Sequence, residues 1–356
     1  MYRVGSILLL VLTIATGCLA PSSAAPTATP TMGPPMVTRT PTQTPTATPS
    51  PTPTQTPTLS PTATLTPTPD PYAGLTIADL AAREYGGGAI TVESVLGVTA
   101  SFTRTLITYP SDGLTIYGFM NVPQGEGPFP VALVLHGYVD PERYATLTYT
   151  TRYADALARA GYLVIHPNLR NFPPSDEGLD PFRVGLAIDV LNLMALVREQ
   201  SGETGPLSEA DAARLGLWGH SMGGGVTLRV ITVDPNVDAA VLYGAMSGDE
   251  YKNYEKILEW SDGERGEEEL ATPPEDMERI APINHLQRIE AAVSIHHGDA
   301  DATVPPIWSD DLCTQLEALG KPVECFSYEG FPHTFSGTGD ATFINNYIDF
   351  FDRYLK

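Results

Sequence analysis

Apolar and polar positions divide this chain into two unlike parts. From about residue 103 onward, short apolar runs alternate with stretches of helical spacing. Residues 104–109 and 114–122 are polar-flanked runs joined by Ser111-Asp112-Gly113, a turn signal that predicts a hairpin. Residues 131–135 (Val-Ala-Leu-Val-Leu) are apolar without interruption, as in a strand buried on both faces. Residues 152–160 repeat Ala and Leu at helical spacing and stop at Gly161, a plausible C′ residue. Further strands are predicted at 163–165, 215–218, 239–243, 292–296 and 323–327. The predicted helices are 184–197 (amphipathic), 226–233, 309–319 and 342–354. Eight strands alternating with helices imply an α/β fold, a mainly parallel sheet with helices on both faces. Ligands on such sheets bind beyond the carboxyl ends of the strands, so candidate site residues should follow strands.

The first seventy residues follow neither period. Arg3, an apolar run over residues 7–15 and Gly17-Cys18 have the layout of a secretory signal spanning residues 1–18. The apolar run is shorter than the ~20 residues a membrane-spanning helix needs. Cys after Ala-Thr-Gly also resembles a bacterial lipobox, with Ala15 where Leu is usual, which makes Cys18 a candidate lipidation site and the new N-terminus; the alternative is an ordinary signal peptide cut nearby, with Cys18 discarded. Residues 19–71 form a spacer. Between Pro26 and Pro71 there are 14 Pro and 17 Thr, which cannot build a core and favour an extended, polyproline-like chain. The folded part is expected to span residues 72–356 as one domain.

The net charge is −22, and only Arg3, Arg39 and Asp70 are charged before Pro71, so the folded part carries the negative charge. Such a surface repels nucleic acid and anionic lipid, leaving membrane attachment to an N-terminal lipid anchor. Cys313 and Cys325 are the remaining cysteines, and export makes a disulfide between them an option. Residues 249–278 hold 12 acids against three bases and lack a strand pattern. This acidic insertion after the sixth predicted strand, residues 249–286, reads either as a cap over a site or as a solvated surface segment.

Chemistry concentrates at Gly219-His220-Ser221-Met222-Gly223. A strand precedes it and a helix follows, the setting of a nucleophile elbow in which the Ser hydroxyl stands above the sheet. Such a hydroxyl needs a base. In the order Ser, acid, His, the base lies after Ser221, and His333 alone follows the loop that bears the acid. That acid is Asp299 or Asp301, both just after His297-Gly298, and spacing does not separate them. Two N–H groups are expected to hold an oxyanion, from Met222 and from Tyr138 in the His136-Gly137-Tyr138 loop. The seven His show no paired ligand spacing, and this chemistry calls for no metal or cofactor.

These pieces resemble the catalytic domain of the prolyl oligopeptidase (S9) family and, more broadly, dienelactone-hydrolase-like α/β-hydrolases. The resemblance rests on Tyr109-Pro110-Ser111-Asp112-Gly113, Pro167-Asn168-Leu169-Arg170, the Ser221 pentapeptide, His297-Gly298 through Asp301 to Val304-Pro305, and Pro332-His333-Thr334-Phe335. It implies an α/β-hydrolase fold and selects Asp301 as the acid. It implies hydrolysis of a small ester or short peptide. Two departures stand out. The segment 72–100 leaves no room for the β-propeller that usually precedes this domain, and the family's Arg-Gly reads Arg170-Asn171. The competing class is a non-catalytic hydrolase-fold domain displayed on a stalk.

Overall fold

The computed structural model describes residues 69–356. The leader at 1–18 with Cys18, and the spacer up to residue 68, lie outside the described residues. In chain order the elements are α1 (Ile77–Ala82), β1 (Thr91–Val98), β2 (Phe102–Ser111), β3 (Leu114–Pro123), β4 (Phe129–Leu135), α2 (Thr151–Arg159), β5 (Leu163–Pro167), α3 (Val184–Gln200), β6 (Ala210–His220), α4 (Met222–Val233), β7 (Ala239–Tyr243), α5 (Glu250–Trp260), α6 (Glu267–Leu270), α7 (Pro274–Ile280), β8 (Ala292–Gly298), α8 (Ile307–Ala318), β9 (Val323–Tyr328) and α9 (Gly337–Leu355).

One sheet runs β1-β2-β3-β5-β4-β6-β7-β8-β9. Pairing is antiparallel from β1 to β5 and parallel from β5 to β9. The sheet therefore has nine strands, not eight. The additional β1 pairs at the antiparallel edge, is solvent-exposed along nearly its whole length, and shifts register twice against β2. Without a buried face it has no apolar alternation to read.

Alternate residues of each central strand feed opposite faces. Val131, Leu133 and Leu135 of β4 join Leu215 and Leu217 in a core with α3 and α4. Ala132 and Val134 join Trp218 in a second core, rich in aromatics, under α2 and α9. Burial of both faces accounts for the unbroken apolar runs. At the end of α2, Gly161 adopts φ 92°, the left-handed C′ conformation its position called for.

Two helices differ from expectation. α3 is buried almost all round rather than on one stripe, because residues 83–90 lie across its outer side. There Asn192 Oδ1 accepts from the Gly86 N–H, and Gln200 Oε1 from the Ile90 N–H. Its Asp189 is fully buried and takes both Nε and Nη2 of Arg170. Helix α4 starts at Met222, four residues before the apolar period begins. Gly223-Gly224-Gly225 are poor helix formers, but tertiary packing demands them. A Cβ on Gly223 would fall on the backbone of Leu135 and His136, and one on Gly224 on Ala245.

β4 is flanked by β5 and β6, so the chain reverses its direction of winding there. The crevice beyond the carboxyl ends of β4 and β6 is where such a sheet binds ligands.

Candidate active site

The turn at Ser221 is built by close backbone approach. β6 ends at His220 and α4 begins at Met222, leaving Ser221 alone to reverse the chain at φ 56°, ψ −118°. That is strained for a residue with a Cβ, and the surroundings hold it. Ser221 N–H donates to the Tyr243 carbonyl at 2.9 Å, while its own carbonyl accepts from Gly225 and Met246. A Cβ on Gly219 would overlap the Gly223 carbonyl and Thr227 Oγ1, so that side of the turn admits only glycine. Met222 is the first residue of α4, and its N–H has no partner within the helix.

The acid choice left open by spacing is separated by contacts. Asp301 Oδ2 lies 2.7 Å from His333 Nδ1 and 3.0 Å from His297 Nε2, and Oδ1 accepts from the N–H groups of Thr303 and Val304. Asp299 instead closes a turn, its Oδ1 accepting from the Gly330 N–H at 2.6 Å. Burial works to raise the Asp301 pKa. The hydrogen bonds from His297 and His333, with the His333 charge and the Val304 N–H, outweigh it and hold the carboxyl below the usual range. Since the carboxylate only accepts, His333 Nδ1 carries the proton and Nε2 is the bare nitrogen, the form a general base requires.

His297 was legible only as the first half of a His-Gly pair. It is a second donor to the acid, with Nδ1 2.7 Å from Ser309 Oγ. Of the other His that follow Ser221 in the chain, His296 lies within β8 between Ser294 and Tyr328, and His285 is bound to the Glu278 carbonyl. At the Arg170-Asn171 departure, Asn171 takes φ 67°, a conformation that Asn tolerates better than most residues, and its side chain pairs with Gly178.

Ser221, Met222, Tyr138 and His333 line one cavity of about 880 Å³. The Tyr138 N–H makes no hydrogen bond among the described residues, and the Tyr138 ring is half exposed beneath the Arg265 guanidinium. The rest of the wall includes Phe172, Asp180 and Arg183, together with Tyr254, Ile257, Trp260 and Glu264–Glu269 of the acidic insertion. That insertion is docked, not a free surface loop. Glu250 is buried and pairs with both Arg229 of α4 and Arg183, and Met277 and Ile280 enter the core. Asp180 has its pKa pushed up to about 7 by burial. A disulfide joins Cys313 of α8 to Cys325 of β9.

A strained Ser between a strand and a helix, at the reversal point of a mainly parallel sheet, defines an α/β-hydrolase. The prolyl oligopeptidase family model matches residues 206–356. YtmA of Bacillus subtilis, an uncharacterized peptidase, is 27% identical over 238 residues, covering 64% of this chain and 85% of that protein. An acylaminoacyl peptidase from Pyrococcus horikoshii superposes with a TM-score of 0.58 at 20% identity, over 72% of this chain and 42% of the peptidase. Acetyl xylan esterase 1 from Thermoanaerobacterium superposes at 0.55 and 16% identity, over 74% of this chain and 88% of the esterase. The chain thus spans less than half of the acylaminoacyl peptidase. The fold is that of the α/β-hydrolases, and over residues 206–356 the chain is similar to the prolyl oligopeptidase family.

Proposed function

We propose that this chain is an exported serine hydrolase that cleaves small esters or short peptides through an acyl-enzyme on Ser221. The observation that carries the reading is the 2.7 Å contact between Asp301 and His333 beside the cavity that Ser221 also lines. His333 Nε2 takes the Ser221 proton as Oγ attacks the substrate carbonyl, and returns it to the leaving group. Asp301 holds the ring in the required tautomer and stabilises the imidazolium. The N–H groups of Met222 and Tyr138 receive the oxyanion. Water, activated by the same His333, then releases the acid.

A cavity of about 880 Å³ suits a small-molecule ligand. Residues 249–286 act as its cap, since their aromatic and acidic side chains form one wall. Ester and amide bonds both fall within the range of the relatives, an acylaminoacyl peptidase and an acetyl xylan esterase by name. Residues 1–18 direct export, Cys18 carries lipid, and residues 19–71 hold the domain off the membrane.

A fluorophosphonate probe is expected to label the wild type and not Ser221→Ala. An unlabelled wild type, or equal labelling of both, would sink the reading. Rates on p-nitrophenyl esters against aminoacyl anilides then assign the bond, with negligible anilide turnover removing the peptidase option. Metabolic incorporation of palmitate that survives Cys18→Ser would rule out the anchor.

A further inference from the structure

Four polar groups beside Ser221 form one chain of three hydrogen bonds. The Gly137 N–H donates to Tyr149 Oη at 3.1 Å, Tyr149 Oη lies 2.6 Å from His220 Nδ1, and His220 Nε2 lies 2.9 Å from the His333 carbonyl oxygen. A carbonyl can only accept, so Nε2 carries the ring proton and Nδ1 is bare. The Tyr149 hydroxyl donates to the bare Nδ1, and its oxygen is left to accept from the Gly137 N–H. Each group therefore has one role, and no donor faces a donor. Burial also keeps the His220 ring neutral, with its pKa pulled down to about 3.

The ends of this chain are the separate parts of the site. Gly137 precedes Tyr138, His220 precedes Ser221, and the accepting carbonyl belongs to His333 itself. The parts also touch: a Cβ on Gly137 would lie 2.5 Å from Tyr149 Oη, 3.0 Å from Ser221 Cβ and 3.3 Å from His220 Nδ1. The geometry points to Tyr149 and His220 as positioning residues that hold the Tyr138 N–H and the His333 loop in register with Ser221. This assignment rests on the serine-hydrolase reading above. Neither residue needs to touch substrate. They act through the backbone of the oxyanion loop and of the base loop, where a displacement near 1 Å is enough to lower turnover.

The opposing account is packing alone. The Tyr149 ring meets the His220 ring edge-on at 5.4 Å, and a phenylalanine would keep that contact. Tyr149→Phe therefore removes only the hydroxyl. His220→Gln retains a donor near the Nε2 position for the His333 carbonyl and loses the acceptor for Tyr149. Both substitutions cut the same link.

The test measures kcat and KM on a p-nitrophenyl ester, fluorophosphonate labelling rates and thermal midpoints for the wild type, both single variants and the double variant. Each single variant is expected to lose about tenfold to a hundredfold in kcat, with KM changed less than about threefold. The double variant should be no more than about threefold below the weaker single variant, because a shared link is lost once. Kcat within twofold of wild type in a folded Tyr149→Phe or His220→Gln would overturn the assignment, as would losses that multiply in the double variant. Should one variant fail to fold, the other still decides by its kcat. A wild type not labelled at Ser221 refutes the underlying hydrolase reading, a result distinct from normal labelling with indifferent variants.

Discussion

Replacing Asp301 with Asn removes a charge while keeping the shape of the side chain. Its Oδ2 faces two ring N–H groups, from His333 at 2.7 Å and His297 at 3.0 Å, and Oδ1 faces two backbone N–H groups. Asn supplies one oxygen and one NH2. If the oxygen keeps the two backbone donors, the NH2 confronts His333 Nδ1–H, and the ring must shift its proton to Nε2 to avoid a donor facing a donor. A His333 protonated at Nε2 cannot accept from Ser221. The expected loss is about 10⁴ in kcat, or about 5 kcal/mol at 1.36 kcal/mol per decade.

Asp299→Asn is the control, because Asp299 accepts only from the Gly330 N–H in a turn, a role the Asn oxygen keeps. It should retain kcat/KM within about threefold. The assay is initial rates on a p-nitrophenyl ester at pH 8, with active sites counted by fluorophosphonate titration. A second readout follows from linkage. The folded-state pKa of Asp301 is lowered, so its stabilisation is present above the carboxylate range and fades as pH falls through the folded value. Asp301→Asn should therefore lose stability at neutral pH and show a flatter acid limb. An Asp301→Asn enzyme at wild-type rate, or an Asp299→Asn enzyme that is dead, would refute this assignment of the acid.

Three more substitutions probe other layers of the argument. Gly137→Ala places a methyl between Tyr149 Oη and Ser221 Cβ, and esterase kcat should fall at least about a hundredfold while circular dichroism is unchanged. Asp180 binds its proton more tightly folded, with a pKa of about 7 against 3.8, so its contribution falls as pH rises between those values. Asp180→Asn keeps the acceptor for the Leu186 N–H and should be more stable than wild type at pH 8, by on the order of a few kcal/mol, but not at pH 4. Cys313 and Cys325 close a loop of 12 residues, so Cys313→Ser should cost about 3 kcal/mol in urea unfolding and leave ester turnover intact.

Legibility in the sequence followed burial. β4, β5, β7 and β8 are covered on both faces, so their apolar runs are continuous and their positions were predicted within one or two residues. β1 has the opposite character. Val92, Val95 and Val98 are all exposed, its partners are backbone groups of β2, and nothing in its pattern marks a buried side. α3 was located but its environment was not. Helical spacing reports one apolar stripe, whereas the covering by residues 83–90 depends on hydrogen bonds across a hundred residues of chain.

The candidate site divides along the same line. Ser221 and His333 were legible because each occupies a loop directly after a strand, where chain order alone constrains the role. The positions of Tyr149 and His297 carry no such local mark. Tyr149 lies just before α2, and only the fold brings its hydroxyl to Gly137 and His220. Asp299 and Asp301 are two residues apart on one loop, and which of them turns toward His333 is decided by that loop's hydrogen bonds. The Gly330 N–H ties Asp299 outward, while the N–H groups of Thr303 and Val304 fold Asp301 inward. Local pattern thus singles out the candidate reacting groups. The groups that aim them become visible only when segments distant in the chain are brought into contact.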